Sequence, residues 1–598
     1  SICNEATGYY GLKRFFIELS IHIWEIYLVE VLDYDLLVMG SGLAGLRAAI
    51  EAARVGNGKL RIAILAKNQL MRAHSISAEG GSAAVLYTDE GDSFDLHAYD
   101  TIKGSDYLSD QDVVEFFVRQ CPVDILELEH WGLPWARRDD GRVAQRPFGG
   151  HSYPRATFAA DRTGFYEVHT LYDTLLKYGN VDKFNEQFVF DLIIRENRFL
   201  GAEAIDMETG EIRIFKARAG ILATGGLGRL YGFTTYSHLV TGDGLAIALR
   251  KGMRLKDLEF VQFHPTGLVP SGILITEGVR GDGGILKNSK GERFMEKYAP
   301  TKKDLAPRDI VSRSMMTEIL EGRGFKGPNG LDYVLLDFSP IGADKIKEKL
   351  SQVREIGIHY VGLDPLDSPL PVRPAAHYTM GGIDVTRTGF TGVTGLWAAG
   401  EVSCLSVHGA NRLGANSTSE CVVFGKVTGG EAAKWLLTSE TSIGIQESDK
   451  KDAENFISDA YSDRGDNDPY EIKRELWSVM DRYAYVFRDE KGLTEGLRLV
   501  RELIDKSKKI TISDKGNIYN QNLVAALEMR NLVELAEVVI IGALERRESR
   551  GSHFRTDYPK RDDENYLKHT IAQRLDGKIV ISYVPVTVTK WKPEPRVY

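Results

Sequence analysis

The sequence predicts an α/β protein whose main domain is a doubly wound, Rossmann-like sheet. Residues 35–39 form a short apolar run, which is followed by a glycine cluster and an alanine-rich stretch at residues 46–55. This order is typical of a strand, a tight turn and a helix. A second apolar run at residues 61–65 completes a βαβ unit of about 30 residues, so helices are expected on the faces of a parallel sheet.

The same domain is predicted to be assembled from distant parts of the chain. Two further strand-to-glycine junctions lie at residues 220–226 and 395–401. We therefore assign residues 33–265 and 371–438 to one nucleotide-binding domain. Residues 266–370 mix short strands and helices, and they are predicted to form an inserted capping domain, which is a natural lid for a binding site.

The remaining segments are predicted to form two smaller domains and an extension. Apolar residues recur at helical spacing over residues 439–545, which predicts a helical domain. Residues 546–598 are more charged, end in a strand-like run and are assigned to a small C-terminal domain. Residues 1–32 are an N-terminal extension of unknown role, which we expect to be dispensable for catalysis. A chain of 598 residues is too long for a single core, in agreement with several domains.

Charge and composition argue against several classes of protein. The formal net charge of -9 argues against a nucleic-acid partner. The apolar segment at residues 15–32 is interrupted by polar groups too often for a spanning helix, so we expect a soluble chain. Neither a disulfide framework nor a metal or iron–sulfur site is indicated, because the cysteines are far apart and form no CxxC pair: Cys3, Cys121, Cys404 and Cys421.

A glycine motif stands where the first strand meets the first helix. Glycines at this point let the backbone approach a pyrophosphate, whose charge the helix N-terminus stabilises. The motif GSGLAG therefore predicts that a dinucleotide contacts Gly40, Ser41, Gly42, Leu43, Ala44 and Gly45. The second strand ends at Lys67, where an acidic residue is expected for the ribose of NAD, and this departure weakens a simple NAD interpretation.

Several short segments rich in histidine, arginine and glycine follow along the chain. The first reads MRAHSISAEGGS, at residues 71–82. Others lie at residues 241–244, 262–267, 276–281, 307–309, 377–382 and 408–414. With these segments in this order, the chain from residue 33 onwards resembles the flavoprotein subunit of succinate dehydrogenase and fumarate reductase.

The resemblance implies an FAD cofactor that is bonded covalently to His74. Such a bond raises the flavin potential, which suits the oxidation of an unactivated alkane. The family often has leucine where Thr418 stands, so only a backbone contact is carried over at that position. Beyond the glycine motif, the resemblance implies cofactor contacts from Ala66, Lys67, Asn68, His74, Ser75, Glu79, Gly80, Gly81, Ser82, Ala223, Thr224, Gly225, Asp243, Glu401, Arg412, Ser417 and Thr418.

The implied substrate is a small dicarboxylate, succinate or fumarate. A site for two carboxylates needs hydrogen-bond donors at both ends. Arg412 and His377 can hold one carboxylate, and His264 with the hydroxyl of Thr276 can hold the other. Arginine offers a planar two-point contact that lysine cannot copy.

The acid or base of the reaction has two candidate sources. On pKa alone, His264 or His377 would be the first choice. The resemblance instead assigns proton transfer to Arg308, with Glu277 and Arg280 as a relay to solvent, and it keeps His264 in the catalytic set.

The resemblance also implies partner subunits. Because the chain supplies no iron–sulfur ligands and no membrane span, an iron–sulfur subunit and membrane anchor subunits are expected to pass electrons to a quinone. The chain would then lie at the cytoplasmic face of the cell membrane, or on the matrix side in a mitochondrion.

The direction of the reaction and two rival functions stay open. The glutamate at position 79 resembles the residue of some fumarate reductases, whereas the relative frequency of the two activities in the family favours succinate oxidation. L-Aspartate oxidase shares the fold and an ESRG stretch like residues 548–551, but it lacks a histidine at the position of His74. A non-enzymatic FAD-carrying scaffold is the third interpretation.

Overall fold

The computed structural model describes residues 29–439, 443–462 and 465–598. Most of the predicted extension, residues 1–28, lies outside the described residues. The strands are β1 (Glu30–Met39), β2 (Ile62–Leu65), β3 (Ser82–Ala83), β4 (Gln145–Arg146), β5 (Ala156–Thr157), β6 (Val181–Phe184), β7 (Gln187–Arg195), β8 (Arg198–Asp206), β9 (Ile212–Leu222), β10 (Leu255–Lys256), β11 (Val261–Leu268), β12 (Ile285–Lys287), β13 (Val334–Asp337), β14 (Leu370–Thr379), β15 (Gly382–Asp384), β16 (Leu396–Ala398), β17 (Ser403–Cys404), β18 (Lys568–Leu575) and β19 (Lys578–Pro585).

The α-helices of these described segments include short single turns as well as long helices. They are α1 (Leu43–Gly56), α2 (Phe94–Gly104), α3 (Gln111–His130), α4 (Thr163–Leu175), α5 (Asp243–Arg250), α6 (Gly278–Gly281), α7 (Met295–Tyr298), α8 (Arg308–Glu318), α9 (Ala343–Lys349), α10 (Ser351–Val361), α11 (Asn416–Thr438), α12 (Glu447–Tyr461), α13 (Pro469–Tyr483), α14 (Glu490–Ser507), α15 (Gln521–Glu545) and α16 (Asp563–Tyr566).

The main sheet has the strand order β6-β2-β1-β9-β8-β7, and β16 pairs with the end of β9. Strands β6, β2, β1, β9 and β16 pair in parallel. Strand β8 pairs antiparallel with β9 on one side and with β7 on the other. Leu222 of β9 lies opposite both Met39 of β1 and Ala398 of β16. Segments that are distant in the sequence, residues 30–39, 212–222 and 396–398, thus lie in one sheet. Strand β1 starts at Glu30 rather than at the predicted boundary, because residues 30–32 also pair with β9.

Helices α1 and α11 pack closely against each other on this sheet. A Cβ atom at Gly429 of α11 would lie 2.2 Å from the carbonyl oxygen of Ala48 in α1, so only glycine permits this approach. The two helices run in the same direction, since Ala44 and Ala48 of α1 lie against Gly425 and Gly429 of α11, and residues of both first turns line one cavity at the carboxyl edge of the sheet. Their positive ends are thereby directed to the same edge.

The inserted lobe is built on the antiparallel sheet β11-β14-β13-β12. Its first and last strands cross the predicted domain boundaries: β11 starts at Val261, before residue 266, and β14 continues to Thr379, beyond residue 370. The predicted limits therefore fall inside two strands that continue without a break from the sequence assigned to the nucleotide-binding domain into the lobe. As a result, His264 and His377 lie on strands at the base of the lobe.

The last segments contain the predicted helices and a hairpin. Helices α13, α14 and α15 pack together, and the hairpin β18–β19 extends a second sheet of order β17-β15-β10-β18-β19. His569 of β18 is buried between Asp257 Oδ2 (2.6 Å) and Asp110 Oδ1 (2.9 Å). Burial lowers its pKa, but the two carboxylates outweigh burial and raise it to about 9. The C-terminal segment thus completes a sheet that the nucleotide-binding domain begins. Within the described ranges, none of the helices is both long and apolar enough to cross a membrane.

Candidate active site

A cavity of about 790 Å³ lies where the carboxyl ends of β1, β2 and β9 meet the inserted lobe. It brings together most of the predicted residues. Gly45, Ser82 and Arg280 are not part of its lining. The predicted residues that line it are Gly40, Ser41, Gly42, Leu43, Ala44, Ala66, Lys67, Asn68, His74, Ser75, Glu79, Gly80, Gly81, Ala223, Thr224, Gly225, Asp243, His264, Thr276, Glu277, Arg308, His377, Glu401, Arg412, Ser417 and Thr418.

The glycine motif forms the turn between β1 and α1. Gly40 has φ +116°, and a Cβ atom there would lie 2.0 Å from the carbonyl oxygen of Ala223. Gly45 has a packing role, since its Cβ would lie 2.0 Å from the carbonyl oxygen of Gly40. The first turn of α1 carries no acidic residue, so the positive end of its dipole faces the cavity without compensation.

The cavity wall fits a large polar cofactor. Thr224 Oγ1 and Ser237 Oγ are buried without a hydrogen-bond partner among the described residues. Buried polar atoms without partners are rare in folded proteins and call for a ligand or water. Together with the glycine turn and the helix N-terminus, they fit a dinucleotide with hydroxyl groups and a pyrophosphate.

Lys67, which stands where an acidic residue was expected, pairs with two carboxylates of the protein. Its Nζ lies 2.7 Å from Asp243 Oδ2 and 2.6 Å from Glu528 Oε1 of α15. Burial lowers the pKa of Lys67, but these two carboxylates outweigh burial and raise it above its usual value. The lysine at the end of β2 therefore ties the helical segment to the nucleotide-binding domain.

His74 lies in a short turn, His74–Ser77, and stacks on Tyr236, with ring centroids 5.0 Å apart and planes at 23°. Its Nδ1 accepts the backbone N–H of Ser237 at 3.3 Å. Burial, together with the nearby charge of Arg229, lowers the pKa of His74 to about 4. The ring is therefore neutral, and Nε2 has no partner among the bonds of the described chain.

Glu79 connects this part of the cavity to the inserted lobe. Its Oε1 accepts from Gln352 Nε2 of α10 at 3.3 Å, and its Oε2 is buried without a partner in the described chain. Burial and the nearby Asp161 raise the pKa of Glu79 well above its usual value. Helix α10 thus covers the cavity and contacts its floor through one polar side chain.

The four residues predicted to hold a dicarboxylate converge at one end of the cavity. His264 and His377 lie on the paired strands β11 and β14, with ring centroids 4.8 Å apart. Thr276 lines the same cavity, and Arg412 lies 4.2 Å above the Tyr378 ring and donates to Ser417 Oγ at 2.6 Å. Arg412 Nε is buried without a partner in the described chain, which leaves it free for a carboxylate.

Both histidines at this end are neutral. His264 Nδ1 accepts the backbone N–H of Thr266 at 3.1 Å, which leaves the ring proton on Nε2. Burial lowers the pKa of His264 and of His377 well below the usual value, and the charge of Arg308 lowers both further. They can therefore hold a carboxylate by hydrogen bonds without carrying a charge of their own.

Arg308, Glu277 and Arg280 form a buried chain beside them. Arg308 Nη2 donates to Glu277 Oε2 at 2.9 Å, and Arg280 Nη2 donates to Glu277 Oε1 at 3.4 Å. Burial raises the pKa of Glu277, but the two guanidinium charges outweigh it and hold this pKa below its usual value. Glu277 is thus a carboxylate between two cations, and Arg308 at one end lines the cavity.

Two further predicted cofactor residues, Glu401 and Ser82, are already engaged with the protein. Glu401 Oε1 accepts from the backbone N–H of Thr379 at 2.9 Å and from the Tyr236 hydroxyl. Burial raises the Glu401 pKa to about 7. Ser82 lies behind the wall, where its hydroxyl contacts Thr418 Oγ1 at 2.7 Å.

Several lining or supporting residues were missed by the prediction. Gln262 accepts from Arg308 Nη1 at 3.1 Å through its Oε1 and donates to the carbonyl oxygen of Arg412 at 2.6 Å, so it ties the two arginines together. Its position inside the segment at residues 262–267 was a signal that could have found it. Tyr236 and Gln352 carried no such signal, because their roles depend on packing against His74 and Glu79.

Residues 35–418 match the family described as the FAD binding domain, and residues 473–598 match the fumarate reductase flavoprotein C-terminal family. The chain belongs to the succinate dehydrogenase and fumarate reductase flavoprotein family. This flavoprotein is 42% identical over 585 residues to the fumarate reductase flavoprotein subunit of Serratia sp. (strain ATCC 39006), and the match covers 95% of the chain and 97% of the relative.

The flavoprotein is similar to relatives named for either direction of the reaction. It is 42% identical over 592 residues to the mitochondrial succinate dehydrogenase (ubiquinone) flavoprotein subunit of Oryza sativa subsp. japonica, over 95% of this chain and 93% of the relative. A solved structure of Escherichia coli quinol fumarate reductase FrdA has a TM-score of 0.92 and 40% identity, over 95% of this chain and 99% of that chain. The predicted fold class is therefore confirmed, and FAD is the cofactor of this flavoprotein.

Proposed function

We propose that this flavoprotein interconverts succinate and fumarate, with Arg308 as the group that donates or accepts the proton. The observation that carries the proposal is the buried chain Arg308–Glu277–Arg280, which ends beside His264 and His377 in the cavity. Bound FAD supplies the two-electron acceptor or donor that carries hydride to and from the dicarboxylate.

The polar groups of the cavity suit a substrate with two carboxylates. Arg412, with its free Nε, and His377 bind one carboxylate, while His264 and Thr276 bind the other. The guanidinium of Arg412 binds its carboxylate by a charge-assisted hydrogen bond, and the neutral histidines add hydrogen bonds to the dianion. Polarising a carboxylate also acidifies the adjacent C–H bond, so the same contacts assist removal of a proton.

Arg308 is better placed than the histidines for proton transfer. His264 and His377 remain neutral over the physiological range because their pKa values are lowered well below the usual value, so neither carries the second ring proton that an imidazolium would donate. Arg308 has an ionised partner, Glu277, that can receive its proton, and Arg280 beyond it continues the path. An arginine in such a chain acts as a transient donor and regains its proton from the relay.

His74 is the residue that we assign to covalent attachment of FAD. Its ring is neutral, is held in one orientation by Tyr236 and Ser237, and lines the cavity. A neutral imidazole has a nucleophilic nitrogen, which an imidazolium lacks. A covalent link also separates this proposal from the L-aspartate oxidase alternative, which predicts FAD that acid releases.

The flavoprotein is proposed to work within a membrane-associated complex. The Escherichia coli structure is named as a quinol fumarate reductase, and the rice relative is named for ubiquinone. An iron–sulfur subunit and membrane anchor subunits are therefore the proposed partners, with the chain peripheral on the cytoplasmic face or the matrix side. We favour succinate oxidation as the direction, with fumarate reduction as the alternative.

Anaerobic reduction of the bound FAD tests the reaction without any partner. Succinate should bleach the flavin absorbance of the purified holoprotein, and L-aspartate should not. Arg308→Ala should abolish bleaching, whereas Arg498→Ala, which removes an exposed arginine paired with Glu495, should retain it. Bleaching by L-aspartate but not by succinate would contradict the proposal.

A further inference from the structure

A chain of three buried polar groups ends at the cofactor cavity. Thr418 Oγ1 lies 2.7 Å from Ser82 Oγ, and Ser82 Oγ hydrogen-bonds to Glu167 Oε1. Thr418 is in the first turn of α11 and lines the cavity, Ser82 is in β3, and Glu167 is on α4. Glu167 and Ser82 have no exposed surface. Two hydrogen bonds in series therefore connect a carboxyl group to the cavity wall.

Glu167 can exist in either charge state near neutral pH. Burial raises the pKa of Glu167 to about 7, and the hydrogen bond from Ser82 offsets only part of this rise. Glu167 Oε2 is buried and has no hydrogen-bond partner in the described part of the chain. A buried carboxyl without an ion-pair partner is balanced between its neutral and its ionised form when its pKa lies near the ambient pH.

The surroundings of Glu167 are nearly free of charge. Helix α4 packs against α1, α3 and the turns Leu70–Arg72 and His74–Ser77. These described elements and α11 carry several charged and titratable side chains. Of these, the Cys421 thiol is the one that interacts electrostatically with Glu167. The pKa of Cys421 is itself raised well above its usual value, first by burial and then by the acids around it, so the thiol stays neutral.

The charge of Glu167 sets the direction of the two hydrogen bonds. A carboxylate only accepts, so Ser82 must donate to Glu167 and Thr418 must donate to Ser82. A protonated Glu167 can donate to Ser82, which then donates to Thr418, and Thr418 donates to the carbonyl oxygen of Gly81 at 3.1 Å. The hydroxyl at the cavity wall thus reverses its donor direction when Glu167 gains a proton.

We propose that Glu167 is a positioning residue for the bound FAD, which it affects through Ser82 and Thr418, and that its ionisation adds to the pH dependence of the reduction potential of FAD. The proposal rests on the binding of FAD and not on the identity of the dicarboxylate. Glu167 touches neither the cavity nor any substrate, so its effect is transmitted by the hydroxyl chain and by its electric field.

The sign of the effect follows from charge. Two-electron reduction adds negative charge to the cofactor, and an ionised Glu167 disfavours that charge. Reduction of FAD should therefore cause the Glu167 carboxylate to take up one proton from solvent. This proton is in addition to those that the cofactor takes up with the same two electrons. Above its pKa, the residue lowers the potential, and well below its pKa it has no charge and little effect.

Potentiometric titration of the holoprotein tests this without a dicarboxylate. The flavin absorbance is followed between pH 5.5 and 9 with dithionite as the reductant and soluble redox mediators. At pH 8.5, Glu167→Gln should lower the ratio of oxidised to reduced flavin at a given potential about tenfold. For a two-electron couple, this corresponds to a rise in reduction potential of about 30 mV. At pH 5.5, the variant and the wild type should have the same potential. The matched control is Glu203→Gln, another buried carboxyl with a raised pKa that lies on β8 and does not line the cavity, and it should leave the potential unchanged.

Ser82→Ala provides an independent variant if Glu167→Gln does not retain FAD. Ser82→Ala keeps the Glu167 carboxyl but removes the hydrogen bond that stabilises its ionised form. The pH at which the plot of potential against pH changes slope should therefore move to a higher value. Ser82→Thr, which keeps the hydroxyl, should restore the wild-type break. Parallel plots for the wild type and Glu167→Gln, or an unmoved break in Ser82→Ala, would overturn the proposal. Loss of flavin reduction by succinate, with the pH effect intact, would overturn only the proposed reaction.

Discussion

Replacing Arg308 by alanine tests the proposed proton transfer most directly. Arg308 donates to Glu277 Oε2 from Nε (3.3 Å) and Nη2 (2.9 Å), and to Gln262 Oε1 from Nη1 (3.1 Å). Arg308→Ala removes all three bonds. Glu277 then retains only the weaker contact with Arg280, at 3.4 Å, among the ion pairs of the described chain.

The expected loss is large for turnover and moderate for stability. Turnover should fall by about 10²–10⁴-fold, the range that a positioned acid or base contributes. Dicarboxylate affinity should change far less, because the four residues proposed to hold the carboxylates remain in place. The free energy of unfolding should fall by about 3 kcal/mol, the lower part of the cost of breaking a buried ion pair, since Arg280 still faces Glu277.

The pH dependence of stability should also reverse. In the wild type, Arg308 and Arg280 hold the Glu277 pKa below 4.5 against the effect of burial. Glu277 then contributes stability that is present above the unfolded-state pKa and is lost as the pH falls through the folded-state pKa. Without Arg308, burial dominates and the pKa rises. The variant should therefore lose stability as the pH increases above about 4.5.

Three measurements separate these effects. Stopped-flow reduction of FAD by succinate gives the rate, titration with malonate gives dicarboxylate affinity, and urea unfolding at pH 5 and pH 8 gives stability. The double variant Glu277→Gln with Arg308→Ala should recover part of the stability but none of the turnover. Turnover within tenfold of the wild type, with normal malonate binding, would refute the reasoning and return the role to His264 or His377.

Three more predictions follow from single side chains. His74→Ser should leave FAD bound but released by acid, with fumarate reduction surviving better than succinate oxidation; an unmodified His74 peptide in mass spectra of the active wild type would contradict the covalent link. Arg412→Ala should weaken malonate binding by about 10-fold to 150-fold, which corresponds to the loss of one charge-assisted contact of about 1.5–3 kcal/mol, and an unchanged affinity in calorimetry would exclude it from substrate binding. Gly429→Ala should destabilise the fold by about 1–3 kcal/mol in urea unfolding, because its Cβ would lie 2.2 Å from the Ala48 carbonyl oxygen. The control Gly430→Ala, whose Cβ would have its nearest contact at 3.5 Å, should be neutral or slightly stabilising.

Local features of the chain could be predicted from the sequence. Strand β1, the glycine turn and α1 follow from apolar periodicity and from the positive φ that Gly40 needs, and both are properties of adjacent residues. The residues of the candidate site were selected by segments that resemble one family, and the cavity contains nearly all of them. Their roles in catalysis stay predictions.

The tertiary structure alone decided which distant residues meet. Lys67 pairs with Glu528 from a helix near the other end of the chain, and the hairpin β18–β19 completes a sheet that β10 begins. Glu167 on α4 gives no local signal that it lies two hydrogen bonds from the cofactor cavity. Periodicity reports which face of an element is buried, but the partner on that face is set by packing between elements. A buried charge acquires its pKa and its role only from that partner.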